Sequence, residues 1–129
     1  MSVEQGIHER WGNYSALYNA LALDRVYTGS VHNGEMPFVS MERTGDSSNT
    51  RTSEGTLYES VMLRIDVVSG SLDEAKQIAN AVLHGFHGER GKFDYTLGKV
   101  LDMKKTNRSE AQDENNAWHI MLDYKVEAW

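Results

Sequence analysis

The sequence predicts an α+β fold: a four- to five-stranded, mainly antiparallel sheet with two α-helices packed on one face. Three observations lead there. Two long segments, Leu57 to Val68 and Trp118 to Glu127, place apolar residues mainly at every second position, the period of a strand with one face on a core. Two others, near the start and in the middle of the chain, place them at steps of three and four, the period of a helix. A doubly wound parallel sheet needs a helix at nearly every crossover, and the sequence has no further helical stretches to supply them. The 129 residues amount to one domain, spanning positions 1–129.

In chain order, Val3, Ile7, Trp11, Tyr14, Leu17, Tyr18 and Leu21 form the first apolar stripe. Gly6 and Gly12 interrupt it, each costing roughly 1 kcal/mol in a helix interior, which favours a start later than Ser2. A short piece from Arg25 to Thr28 follows, then Gly29, and Asn33-Gly34 carries the strongest two-residue turn signal. Pro37 opens a strand continued by Phe38, Val39 and Met41, at a position where its missing N–H is harmless. The polar stretch 44–56 reads as a loop.

In the next strand Leu57, Val61, Leu63, Ile65 and Val67 share the core-facing parity. Glu59 breaks that parity near the strand's beginning, where exposure is easiest. Ser71-Leu72-Asp73-Glu74 has the form of a capping box, with Ser71 capping the backbone and Glu74 reaching back to it. The helix it opens carries Leu72, Ala75, Ile78, Ala79, Val82, Leu83 and Phe86 on one stripe, and the glycines at 85 and 88 end it. Between Phe93 and Lys105 lie two β-rich pieces separated by a turn or bulge at Gly98. Residues 106–116 form a second polar loop, and the last strand buries Trp118, Ile120, Leu122, Tyr124 and Val126.

The chemistry of the sequence is mostly exclusion. With no cysteine there is no disulfide, thiolate nucleophile or cysteine zinc site. None of the serines sits in a nucleophile elbow. The glycines around Gly85–Gly91 end a helix, whereas a phosphate loop precedes one. His84, His87 and Glu89 form the one metal-like cluster, yet two imidazoles at a helix C-terminus are accounted for by the helix dipole. The pairs Asp73-Glu74 and Asp113-Glu114 read as a helix start and a solvated loop. No apolar run approaches the length of a membrane span, and the first residues lack the pattern of a signal peptide, so a soluble cytoplasmic protein is expected. The net charge is −6, spread over both halves, which removes the usual electrostatic argument for nucleic-acid binding. One stretch runs against it: residues 89–108 hold Arg90, Lys92, Lys99, Lys104, Lys105 and Arg108 against three acids. Trp129 belongs to no stripe and must either fold back or dock on a neighbour.

Several segments together carry a resemblance. Leu17-Tyr18-Asn19-Ala20-Leu21, Arg25-Val26-Tyr27, Pro37-Phe38-Val39, the strand ending Ile65-Asp66-Val67-Val68-Ser69 and the helix from Ser71 to Val82 follow in an order that resembles the small tail-completion or tail-terminator proteins of long-tailed bacteriophages and prophages. The likeness covers roughly residues 14–127 and departs most after Gly88. It implies a structural virion protein, with neither enzymatic activity nor cofactor. It further implies a ring of identical copies, hexameric in this family, that ends the tail tube at its head-proximal end and joins tail to head. Its partners would be further copies, the tail tube protein and the head–tail connector proteins. DNA would pass through without sequence-specific contact, and membranes would not be involved. The expected location is the host bacterial cytoplasm during assembly and then the virion tail. Contact residues are expected in the two polar loops, Asp46, Arg51 and Glu54 in the first and Arg108, Glu110, Asp113 and Glu114 in the second, together with Trp129. Two alternatives stand beside this reading: another head–tail connector or minor tail protein, and a small metal-binding enzyme using His84 and His87.

Overall fold

The computed structural model describes residues 3–29, 35–44, 48–51 and 57–129, with residues 48–51, 57 and 58 described by their backbone alone. Helix α1 (Val3–Asn13) and the short α2 (Ser15–Ala20) lead into strand β1 (Val26–Thr28). Strands β2 (Phe38–Arg43), β3 (Ser48–Arg51) and β4 (Leu57–Ser69) precede helix α3 (Leu72–Gly85), and β5 (Phe93–Tyr95), β6 (Gly98–Gln112) and β7 (Trp118–Ala128) complete the order. Six strands lie in the hydrogen-bonded order β1-β2-β4-β7-β6-β5, and β3 pairs with the first residues of β4. Among the described residues only the β1–β2 pair is parallel.

The α+β class and the mainly antiparallel pairing agree with the sequence reading, but the sheet is larger than four or five strands. One added strand and one lengthened strand come from segments with no apolar alternation. Ser48–Arg51 lies in the stretch expected to be a loop, and backbone pairing with β4 makes it a strand. The presumed loop 106–116 is likewise mostly strand, because residues 107–112 pair with β7. The register slips by one residue at two places in β6, between Val100 and Asp102 and between Lys105 and Asn107, the mark of bulges that bend a long strand. The turn at Asn33-Gly34 falls outside the described residues.

The first helical stripe is broken into two helices at Tyr14, whose backbone is extended. Gly12 and Asn13 are poor helix formers, and the Asn13 side chain donates to the Glu9 carbonyl at 3.0 Å, closing the end of α1. Trp11 is fully buried, and its indole N–H donates to the Leu21 carbonyl at 2.9 Å, which folds the α2 end back onto α1. Tyr18, expected in the core, is 45% exposed.

Helix α3 packs on β4 and β7, and α1 on β5 and β6. The core joins Ile78, Ala79 and Val82 of α3 to Leu63 and Ile65 of β4 and to Ile120, Leu122 and Tyr124 of β7. Gly6 lets α1 lie directly against the Tyr95 ring, since a Cβ there would meet ring carbons at 2.7–2.8 Å. The capping box is rewired. Ser71 Oγ accepts from the Glu74 N–H at 3.4 Å, but the Glu74 carboxylate accepts from Ser69 Oγ at 2.7 Å, and Ser69 Oγ accepts from the Ser71 N–H at 3.1 Å. Glu59 is buried, contrary to expectation, because Arg43 reaches it at 2.7 Å and bridges to Glu4 at 3.0 Å.

Candidate assembly surfaces

On the sheet face away from α3, polar residues of neighbouring strands pair across the register. Arg64 of β4 and Asp123 of β7 stand opposite each other and form a two-pronged ion pair at 2.8 and 3.3 Å. That pairing holds the Asp123 carboxyl below its usual range. Further along the same pair of strands, His119 sits between two carboxylates. Its Nδ1 lies 3.0 Å from Asp66 and its Nε2 lies 2.8 Å from Asp113. Both ring nitrogens can donate only in the imidazolium form. Burial of the ring opposes that charge, but the hydrogen bonds and the negative charge of Asp66 and Asp113 outweigh it, so the His119 pKa is raised. Asp113 is lowered chiefly by His119, aided by the Ala117 and Asn115 N–H groups that it also accepts. The three side chains therefore tie the β6–β7 turn to β4.

The expected contact residues are distributed unevenly. Asp46 and Glu54 fall outside the described residues, and the side chain of Arg51 is likewise not described. Arg108 and Glu110 lie on β6 and pair with each other at 3.0 Å. Asp113 is the carboxylate that caps the turn and binds His119, and Glu114 is exposed beside it. Trp129 is fixed through its backbone: its N–H and C=O both pair with Lys99, at 3.0 and 2.7 Å, while its side chain is 43% exposed. Gly98 makes this closure feasible, because a Cβ at that position would overlap the Trp129 carbonyl.

Sequence reasoning did not single out the groove of about 670 Å³ where the C-terminal end of α3 meets β6 and β7. Phe86, Met103 and Tyr124 line it together with Arg90, Lys104 and Lys105. His84 and His87 stand on the same rim, with Asp102 the single acid. Arg90 is oriented by donating to the His84 carbonyl at 2.6 Å, which also caps the helix end. The Tyr124 hydroxyl is buried with no hydrogen-bond partner, and burial pushes its pKa up. The basic stretch 89–108 supplies its cations, but nothing in that stretch alone marks a concavity. His84 and His87 do not gather a third ligand: among the described residues no group of three His, Cys, Asp or Glu side chains could hold a metal ion. Among the same residues no helix is long and apolar enough to cross a membrane.

These features define a protein whose sheet carries helices on one face and an ion-paired polar layer on the other. No family model matches the chain, and no curated protein matches it. Among solved structures, a chain of the "Virion of native gene transfer agent (GTA) particle" shares this fold, with a TM-score of 0.65 over 98% of this chain and 94% of that one at 15% sequence identity. The likeness at that identity is one of fold.

Proposed function

We propose that this chain is a structural component of a phage-type particle, and that it acts as a tail terminator. In this reading copies close into a ring, six in number, at the head-proximal end of the tail tube, stop its growth and present a surface to the head–tail connector proteins. The observation that carries the proposal is the end-to-end fold likeness to a chain of a gene transfer agent virion, which covers nearly all of both chains. The order of segments from Leu17 to Val82 supports the same reading.

The surfaces suit a structural role. Polar groups of the outer sheet face are satisfied by one another across strands, as in Arg64–Asp123 and Asp66–His119, rather than converging on a reacting centre. In this reading the β6–β7 hairpin end, with Arg108, Glu110, Asp113 and Glu114, serves as one contact element, and the stretch 44–56, with Asp46, Arg51 and Glu54, as the other. A heterologous contact between unlike surfaces of successive copies closes a ring when its rotation permits. The net charge of −6 would then be repeated around a channel that DNA traverses without sticking.

Electron microscopy of the purified protein, alone and mixed with tail tube subunits, tests this. Rings and capped tubes are expected. A monomer that neither forms rings nor caps tubes would defeat the terminator reading.

A further inference from the structure

The groove at the C-terminal end of α3 has no occupant among the described residues, and its cations set it apart from an acidic chain. Residues 89–108 are the basic island of a protein that is acidic overall. Three of its cations, Arg90, Lys104 and Lys105, converge on this groove, and neither lysine has an ion-pair or hydrogen-bond partner among the described residues. Beneath them lie Phe86 and Met103, both buried, and the orphaned hydroxyl of Tyr124. Lysines on an open strand edge do guard against indiscriminate strand pairing. That role requires neither a groove behind them nor a buried hydroxyl lacking a partner.

A complementary surface stands at the other end of the same helix. Trp118 pairs with both Ser69 and Gln112, so the β6–β7 turn lies beside the end of β4, three residues before α3 begins. That end of the molecule carries Asp73 and Glu74 in the first turn of α3 and Asp113 and Glu114 in the hairpin turn. Glu74 and Asp113 are engaged within the chain, whereas Asp73 and Glu114 are exposed and have no partner among the described residues. The 14 residues of α3 separate this end from the groove by roughly 20 Å at 1.5 Å per residue. One copy therefore cannot bring the two together. The helix dipole accounts for Asp73, Glu74 and His84, but not for Glu114, Lys104 or Lys105, which lie off the helix.

We propose that the basic groove between α3 and β6 is the receiving half of a copy-to-copy contact, and that the acidic end formed by the α3 start and the β6–β7 turn of a second copy docks in it. This inference rests on the ring-forming reading above and specifies its contact. The contact is head-to-tail, joins unlike surfaces, and propagates from copy to copy.

Charge exchange tests it in the full-length chain. One variant, Asp73→Lys with Glu114→Lys, reverses the acidic end; the other, Lys104→Glu with Lys105→Glu, reverses the groove. All four side chains are exposed, and circular dichroism melts establish that both variants fold. In sedimentation velocity at low salt, the wild type is expected to associate and each variant alone to associate at least about tenfold more weakly, because like charges then face each other. An equimolar mixture of the two variants is expected to regain wild-type association, since reversed end meets reversed groove and unaltered end meets unaltered groove. Variants that assemble as the wild type does would overturn the docking contact and leave the ring standing. A mixture that stays dissociated while both variants are folded would overturn it as well. A wild-type chain that remains monomeric throughout would overturn the ring and the contact together.

Discussion

At the scale of single residues, His119 governs the most ionisable part of the molecule. Its ring donates to Asp66 and Asp113 at once only while both ring nitrogens are protonated. Because its folded pKa is raised above 6.5, its contribution to stability is fully present below the ordinary histidine range and is lost as pH rises through the folded value. Asp113 acts at the other limit. Its pKa is depressed, so its contribution holds above the ordinary carboxylate range and disappears as pH falls through the lower, folded value. Urea titrations across neutral to alkaline pH are expected to show the wild type losing stability where His119→Gln does not. With the His119 ring partly exposed, the difference between the two proteins below pH 6.5 is expected to be about 1 kcal/mol. A pH dependence identical in both would show that the imidazole is not the titrating group. Tyr124 offers the opposite kind of test. Its hydroxyl is buried without a partner, so Tyr124→Phe removes a desolvated polar atom and keeps the ring. Chemical denaturation of the unassembled variant is expected to give a stability equal to the wild type or higher by about 1 kcal/mol.

At the scale of elements, α3 is secured at its start by a relay in which Ser71 caps the helix and Ser69 links Glu74 to the Ser71 backbone. Ser71→Ala is expected to lower stability by about 1 kcal/mol, and Ser71→Asp to restore most of it; thermal denatured fractions followed at 222 nm would show both. How much of each element could be read in advance depended on whether side chains or backbone define it. Helix α3 and the strands β4 and β7 announce themselves through apolar period, because Ile78, Ile65 and Leu122 must all reach one core. Strand β3 and the outer half of β6 do not, since Ser48–Arg51 and the residues from Thr106 to Gln112 have almost no apolar side chain to bury and are strands by virtue of the partners that offer them hydrogen bonds. Glu59 went unrecognised for a related reason: its burial depends on Arg43, 16 residues away. The His119 cluster joins positions 53 and 6 residues apart, visible only once β4 and β7 are known to be neighbours. The groove was legible as the basic run 89–108 and not as a concavity, because its floor is supplied by Phe86 and Tyr124 from elements on either side of that run.

At the scale of the whole molecule, charge is sorted along α3: exposed acids at its start and beside the hairpin turn, cations around the groove at its end. Association driven by such surfaces weakens as salt shortens the reach of charge from about 10 Å at 0.1 M to about 3 Å at 1 M. Light scattering across that range is expected to show the assembly dissociating, and an assembly indifferent to salt would point to an apolar interface instead. The polar outer face would respond less, since Arg64–Asp123 is closed within one copy. A last consequence comes from the position of β7. It follows every other described strand in chain order, yet it lies in the middle of the sheet, joined along its length to β4 on one side and β6 on the other. During synthesis, everything up to residue 117 can be made before the sheet has its central member. The nascent chain must carry two open strand edges until that member emerges.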